Sequence, residues 1–277
     1  MVAVPVVAQR LGSLPVIAGF CRRLDIAGII DRACPIREVA LATHGEVVEA
    51  LIANRLTSPT PLVRVADWAR DWAVAAVFGM QADALGDDRL ARALDAIAPR
   101  LEQIVGSVGA RAISEFGLDV GRLHWDMTSI SLYGAYEDLE EDYPEPRWGH
   151  PKDRRVDLKQ IQTGLAVTGD GGIPVWHRAY DGGAGEVAQV VGAMTALKAM
   201  AGRRDFLLVG DSKLVSYPNL RALERAGVTF IAPLGAARVP AGLFAGLDLA
   251  AARPVDYIAA RDAGKPPEQR CRYRVSE

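Results

Sequence analysis

The stretch that decides the fold is RLHWDMTSISLY, residues 122–133. It is rich in β-branched and aromatic residues, which predicts a β-strand. Asp126 lies within this otherwise apolar pattern, and a carboxylate in a strand is costly to desolvate unless something binds it. Asp126 is therefore either a ligand for a cation or the acceptor of hydrogen bonds from Thr128 or Ser129, and the sequence leaves both possibilities open.

Strands and helices alternate after this first strand. Further strands are predicted over 159–168, 173–180, 205–209 and 228–232, and helices over 186–201 and 213–226. Asp170-Gly171-Gly172 is a turn signal that predicts a hairpin between the second and third strands. The order β-β-β-α-β-α-β predicts the α/β (α+β) class, with a mixed sheet flanked by helices.

The front of the chain, from about residue 15 to 110, is predicted to be helical. Thr43 and Glu46 have the spacing of a capping box and precede an apolar helical pattern. Short helices separated by proline-marked turns are typical of a helix-turn-helix DNA reader, or of a small packing or dimerisation module. We therefore predict a helical domain at 1–112, for DNA binding or dimerisation, and a sheet domain at 113–277.

Composition excludes several classes of protein. The chain has 277 residues, half of them hydrophobic, and a formal net charge of −2, so no whole-protein field attracts DNA. It has three cysteines without a C-x-x-C pair, which fits a reducing cytoplasm. It has no run of 18 apolar residues, so we expect no membrane span.

Nucleic-acid binding would therefore need a local basic patch. Loop 149–159 concentrates Lys152, Arg154, Arg155 and Lys159, which are candidate contacts to phosphate groups. Aspartates are interspersed among them, and a solvated charged loop explains the same pattern.

Asp211 is the second acidic candidate, because it follows the apolar strand predicted at 205–209. In α/β sheets, chemistry gathers beyond the carboxyl ends of strands. If the strands are neighbours, Asp126 and Asp211 face one crevice, and two carboxylates suit an oxygen-preferring ion such as Mg²⁺. Asp211 also precedes Ser212 and a predicted helix, so it is equally suited to cap that helix.

Two other polar features are weaker candidates. Gly182–Gly185 precedes the helix predicted at 186 and either cradles a phosphate group or simply makes the turn into that helix. His124, His150 and His177 lack the spacing of metal ligands and are interpreted as ordinary polar residues.

Several segments, taken in order, resemble the IS4 and IS1634 type of insertion-sequence transposase. The catalytic-core segments are WDMTSISLYG (125–134), GHPKDRRVDLKQIQTGLAV (149–167), IPVWHRAYDGGAGE (173–186) and LLVGDSKLVS (207–216). Segments 11–32 and 44–68 resemble the helical domain that precedes that core. The resemblance spans roughly residues 11 to 245.

The resemblance implies an RNase H-like core that carries a triad of two aspartates and one glutamate, with Asp126 and Asp211 as its first two members. It further implies two Mg²⁺ (or Mn²⁺) ions, cleavage of double-stranded DNA at inverted-repeat ends, and joining of the freed 3′-hydroxyl to target DNA.

The third acid of that family lies in a Tyr-Arg-Glu-Lys signature that has no match here. Tyr257 and Tyr273 are followed at the arginine position by Ala260 and Ser276. The acids near these tyrosines do not fit the signature and are not assigned its role: Asp256, Asp262, Glu268 and Glu277. The resemblance therefore implies an incomplete core, as in a C-terminally truncated copy, with little strand-transfer activity alone.

Four functions stay open at this point. The first is a transposase in the bacterial cytoplasm and nucleoid, acting on DNA with a second copy or a full-length transposase. The second is a non-catalytic fragment that binds DNA or a transposase through residues 1–110. The third is a different RNase H-like metal-dependent nuclease, which needs a third acid of this chain near Asp126. The fourth is a purely structural protein, favoured if Asp126 and Asp211 lie apart.

Overall fold

The structure is a computed structural model that describes residues 8–37, 40–137, 143–202, 205–240, 242–248 and 250–276. Glu277 lies outside the described residues. The chain divides into two compact units, Met1–Ala232 and Pro233–Glu277. In the part that the structure describes, every helix is too short or too polar to cross a membrane.

Helices form the front of the first unit, as predicted. They are α1 (Leu14–Arg23), α2 (Ile26–Ala33), α3 (His44–Thr57), α4 (Val65–Asp71), α5 (Val74–Phe78), α6 (Asp87–Ile97) and α7 (Leu101–Phe116). The capping box of α3 is confirmed: the Glu46 backbone N–H donates to Thr43 Oγ1 (3.1 Å), and the Thr43 backbone N–H donates to the Glu46 carboxylate (2.7 Å). Leu14, Val47 and Leu90 are fully buried in the core that these helices share.

A five-stranded mixed sheet follows these helices. Its strands are β1 (Arg122–Leu132), β2 (Lys159–Thr168), β3 (Pro174–Tyr180), β4 (Leu207–Val209) and β5 (Thr229–Ile231), joined in part by helices α8 (Glu186–Ala201) and α9 (Tyr217–Ala226). The strand order is β3-β2-β1-β4-β5. The pairs β1–β2 and β2–β3 are antiparallel, whereas β1–β4 and β4–β5 are parallel. The predicted fold class and the predicted β2–β3 hairpin are therefore confirmed.

The two faces of β1 have opposite character, because side chains alternate along a strand. Leu123, Trp125 and Met127 are buried in the core that α8 and α9 share with the sheet. His124 and Asp126, which alternate with them, are exposed. The period-two pattern thus buries the apolar half of β1 under the helices and leaves the Asp126 carboxylate accessible.

Helix α7 packs against strand β3, at one end of the sheet, through Gly109. A Cβ atom at Gly109 would lie 2.3 Å from the carbonyl oxygen of Val175, so only glycine permits this close approach. The predicted domain boundary at 112/113 falls inside α7, and the division of the chain at that point stays a prediction.

We expect Gly109→Ala to destabilise the protein by about 1–3 kcal/mol, because the methyl group forces the helix and strand apart. Gly106→Ala, in the same helix, is the matched control: a Cβ there has no heavy atom within 4 Å. Since alanine is the better helix former, it should stabilise by up to about 1 kcal/mol. Urea denaturation followed by far-ultraviolet circular dichroism measures both, and equal shifts in the two variants would contradict the packing described.

The second unit contains an antiparallel pair, β6 (Arg253–Val255) and β7 (Tyr273–Val275). Between them lies Asp262, whose side chain is only 1% exposed. Its carboxylate accepts hydrogen bonds from Lys265 Nζ (2.8 Å) and from the Cys271 backbone N–H (3.2 Å). These contacts lower the pKa of Asp262 to about 2, and the Lys265 ammonium group has a larger effect than the Cys271 N–H.

This lowered pKa predicts an acid-sensitive second unit. The ionised Asp262 stabilises the fold fully above its ordinary pKa of 3.8, and that stabilisation is lost as the pH falls towards 2. Near-ultraviolet circular dichroism can follow it, since Tyr257 and Tyr273 form an edge-to-face pair with centroids 5.4 Å apart. Asp262→Asn should weaken this signal at pH 6 and flatten its change between pH 4 and 2; an unaltered profile would refute the role of Asp262.

Candidate metal centre

Asp126 and Asp211 come together through the parallel pairing of β1 with β4. His124 on β1 lies opposite Val209 on β4. Asp126 and Asp211 each lie two residues beyond this pair, so they are neighbours at the same edge of the sheet. Carboxylate oxygens of Asp126, Asp211 and Glu186 all lie within 4.8 Å of one another. We name these three residues the acid cluster.

Glu186 is the member that sequence reasoning missed. It is the first residue of α8, directly after the turn Gly182–Gly185, and its side chain is only 8% exposed. A third carboxylate thus joins the two aspartates expected at this site. Glu186 does not belong to a Tyr-Arg-Glu-Lys signature; the segment DGGAGE (181–186) places it at the start of a helix.

The local contacts of the two aspartates bear on the alternatives that the sequence left open. Asp211 caps the short 3₁₀ turn Ser212–Leu214, because its carboxylate accepts from the Lys213 backbone N–H (2.8 Å). It is thus both a cap and a member of the acid cluster. Asp126 accepts from the Met127 backbone N–H (2.8 Å), and the Ser129 hydroxyl instead accepts from the Lys152 backbone N–H (3.0 Å).

Two lysines place positive charge at the acid cluster. Lys152 Nζ lies 3.4 Å from Asp126 Oδ2 and also donates to the Met127 carbonyl. Lys213 Nζ donates to the Glu186 carboxylate. Each lysine pairs with a different acid, so the carboxylates are partly neutralised by the chain itself.

The remaining basic residues of loop 149–159 are engaged elsewhere or exposed. Arg155 pairs with Asp157 (2.7 Å) and donates to the Tyr133 hydroxyl (3.0 Å). Lys159 donates to the carbonyl of Tyr136 (3.0 Å) and lies over the ring of Trp148, and Arg154 is exposed. The structure thus brings Lys152, of the four predicted phosphate contacts, directly to the acid cluster.

Glu186 is where burial and like charge act most strongly. Burial raises the pKa of Glu186, the hydrogen bond from Lys213 lowers it, and the nearby charges of Asp211 and Asp126 raise it. The same ion pair with Glu186 raises the pKa of Lys213. The negative charge of three carboxylates in so small a space is relieved by cations or by protonation of one carboxyl group.

The donor set fits a hard divalent cation. All three donors are carboxylate oxygens, which Mg²⁺ and Mn²⁺ prefer over the ligands of softer metals. Opposite ligands of an octahedral Mg²⁺ lie about 4.2 Å apart, so the spread of up to 4.8 Å needs only a small inward movement. His177 lies opposite Leu165 of β2, and its Nε2 atom is hydrogen-bonded to the Thr163 hydroxyl group (2.6 Å).

A groove of about 470 Å³ runs beside the aspartates on the exposed face of the sheet. Asp126 and Asp211 line it together with the hydroxyl residues Thr128 and Thr163 and with apolar Leu165. The groove therefore places two carboxylates next to hydroxyl and apolar side chains.

Comparison with known protein families gives a match at the front of the chain. Residues 6–102 match a family described as Domain of unknown function (DUF4277). No curated protein matches the chain.

Among solved structures, the chain is similar to transposases at low identity. The piggyBac transposase synaptic complex with hairpin DNA shows 13% identity and a TM-score of 0.45, over 82% of this chain and 52% of that chain. The Mos1 transposase paired-end complex with left transposon end shows 8% identity and a TM-score of 0.28, over 70% of this chain and 60% of that chain. The Mos1 strand transfer complex shows 10% identity and a TM-score of 0.28, over 83% of this chain and 79% of that chain. This chain thus spans about half the length of the piggyBac chain.

The acid cluster predicts the response of cation binding to substitution. Asp126→Asn, Glu186→Gln and Asp211→Asn should each weaken Mn²⁺ binding by at least about tenfold, since even an outer partner of a metal site contributes 10–100-fold. Asp205→Asn, an exposed acid outside the cluster, is the control and should bind as the wild type. Isothermal titration calorimetry measures the affinities, and equal losses in all four variants would rule out a specific site.

Proposed function

We propose that this chain is a DNA transposase that cleaves phosphodiester bonds with a divalent cation, Mg²⁺ or Mn²⁺, held by Asp126, Glu186 and Asp211. The observation that carries the proposal is the convergence of three carboxylates within 4.8 Å on a sheet face that the helices leave open. The places of Asp126 on β1 and of Asp211 just after β4 support the IS4 and IS1634 type of core that the sequence motifs resemble. Glu186 precedes Asp211 in the chain and is not the glutamate of the Tyr-Arg-Glu-Lys signature.

Each residue of the acid cluster has a separate task in the proposed reaction. When bound, the cation neutralises phosphate charge and activates the attacking oxygen. Asp126 and Asp211 are exposed and hold the side of the site that faces the DNA, whereas the buried Glu186 fixes the inner side. In cleavage, a water oxygen bonds to phosphorus, the bond from phosphorus to O3′ breaks, and the proton that water loses is balanced by protonation of O3′.

Strand transfer uses the same arrangement in a second step. The freed 3′-hydroxyl oxygen bonds to a target phosphorus, the target bond from phosphorus to O3′ breaks, and that oxygen takes up a proton. No further co-reactant is needed, because one phosphodiester is exchanged for another.

The loop that follows β1 supplies the proposed contacts to the DNA backbone. Lys152 reaches the acid cluster, and Arg154 projects from an exposed position in the same loop. We include Arg155 and Lys159 as flanking phosphate contacts, with the charge of Arg155 reduced by its pairing to Asp157. The helical segment 1–112 is proposed to bind DNA ends or a second copy of a transposase.

The missing Tyr-Arg-Glu-Lys signature implied little activity for this chain alone, but Glu186 supplies a third acid. We therefore expect the wild type to cleave a duplex of the inverted repeats that flank its coding sequence, with Mn²⁺ or Mg²⁺ present. Asp126→Asn, Glu186→Gln and Asp211→Asn should each lower the rate by at least about a hundredfold, because the cation contributes several kcal/mol to the transition state. Denaturing gels measure cleavage, and gel shifts should show DNA binding retained. Asp205→Asn is the control, and full activity of Asp126→Asn would exclude the proposed site.

The presence of Glu186 beside Asp126 also favours a second candidate function, an RNase H-like nuclease that hydrolyses DNA without joining it. That function needs a third acid of this chain near Asp126, and Glu186 meets this condition. A supercoiled target plasmid separates the two candidates: joined products support a transposase, and nicked or linear products alone support the nuclease. DNA binding without cleavage in the wild type would support the non-catalytic fragment.

A further inference from the structure

The residue of interest is Lys213, which has no part in the function proposed above. It lies two positions after Asp211, in the short turn Ser212–Leu214 that the Asp211 carboxylate caps through the Lys213 backbone N–H. Leu214, next to it, is 1% exposed and anchors the turn in the core. One acid of the cluster and one core residue therefore fix the backbone from which the Lys213 side chain extends.

The Lys213 ammonium group meets the most buried carboxylate of the acid cluster. The Glu186 side chain is 8% exposed, whereas that of Lys213 is 47% exposed and reaches inward to it. A buried carboxylate without a partner is strongly destabilising, so Glu186 depends on this cation.

Charge balance distinguishes one divalent ion from two. Three carboxylates, the ammonium groups of Lys152 and Lys213, and one divalent ion together carry a net charge of plus one. A second divalent ion would bring the site to plus three unless phosphate groups arrived with it. The ammonium also occupies space beside Glu186 that a second ion would need, since each ion of a pair takes its own carboxylate ligands.

We propose that Lys213 is a built-in cation of the acid cluster, so that the protein binds one divalent ion where the family resemblance implied two. This inference rests on the proposed function. In it, the Glu186 carboxylate is shared between Lys213 and the divalent ion, and Asp126 and Asp211 provide the other ligands of that ion. Lys213 is thus a positioning residue that sets the number of bound ions.

The test is to count Mn²⁺ ions bound to the full chain without DNA, using the electron paramagnetic resonance signal of free Mn²⁺ together with calorimetry. The wild type should bind one ion. Lys213→Gln should bind two, with the first about tenfold tighter, because the negative charge is no longer offset. Lys213→Arg should restore a single ion, and Lys198→Gln, which alters an exposed lysine of α8 remote from the cluster, should match the wild type.

Thermal denaturation gives a second readout that tolerates a less stable variant. Lys213→Gln leaves Glu186 without its partner, so its melting temperature should fall without metal and rise more with Mn²⁺ than that of the wild type. Two ions in the wild type, or an unchanged count and affinity in Lys213→Gln, would overturn the role of Lys213 and leave the proposed function standing. No Mn²⁺ binding in the wild type would instead overturn the proposed function.

Discussion

The repulsion among three carboxylates in one small space is the constraint on which the site depends. Asp126, Glu186 and Asp211 come within 4.8 Å of one another, and the Glu186 side chain is nearly buried. Such an arrangement is stabilised when cations compensate the charge or when one carboxyl group takes up a proton. Lys213 and Lys152 supply part of that compensation from the chain, and the exposed aspartates leave room for a divalent ion.

The sheet holds the carboxylates close together although their charges repel one another. Parallel pairing sets β1 and β4 in register, which brings Asp126 and Asp211 to one level. Helix α8 begins beside the two aspartates, and its first residue is Glu186. The core of Leu123, Trp125, Leu197 and Leu208 on the opposite face makes this arrangement rigid, because buried apolar surface resists the separation of strands and helices.

The helical front half is connected to the sheet by backbone contact. Helix α7 approaches β3 so closely at Gly109 that a side chain there would meet the Val175 carbonyl. The helices that precede α7 lie within the family match over residues 6–102. Helix α7 thus connects the helical front of the chain directly to one end of the sheet.

The sequence alone predicted the helical front and the five strands of the sheet, but not β6 and β7, and it singled out two of the three acids as candidates. Period-two and helical patterns gave β1, the β2–β3 hairpin and the capped start of α3, because local sterics and hydrogen bonding set them. Asp126 was identifiable because a carboxylate inside an apolar strand needs a partner. Only the tertiary structure decided that Glu186 joins the aspartates and that Lys213 pairs with it. Residues 60 positions apart meet through strand register and helix packing, and no local pattern records that meeting.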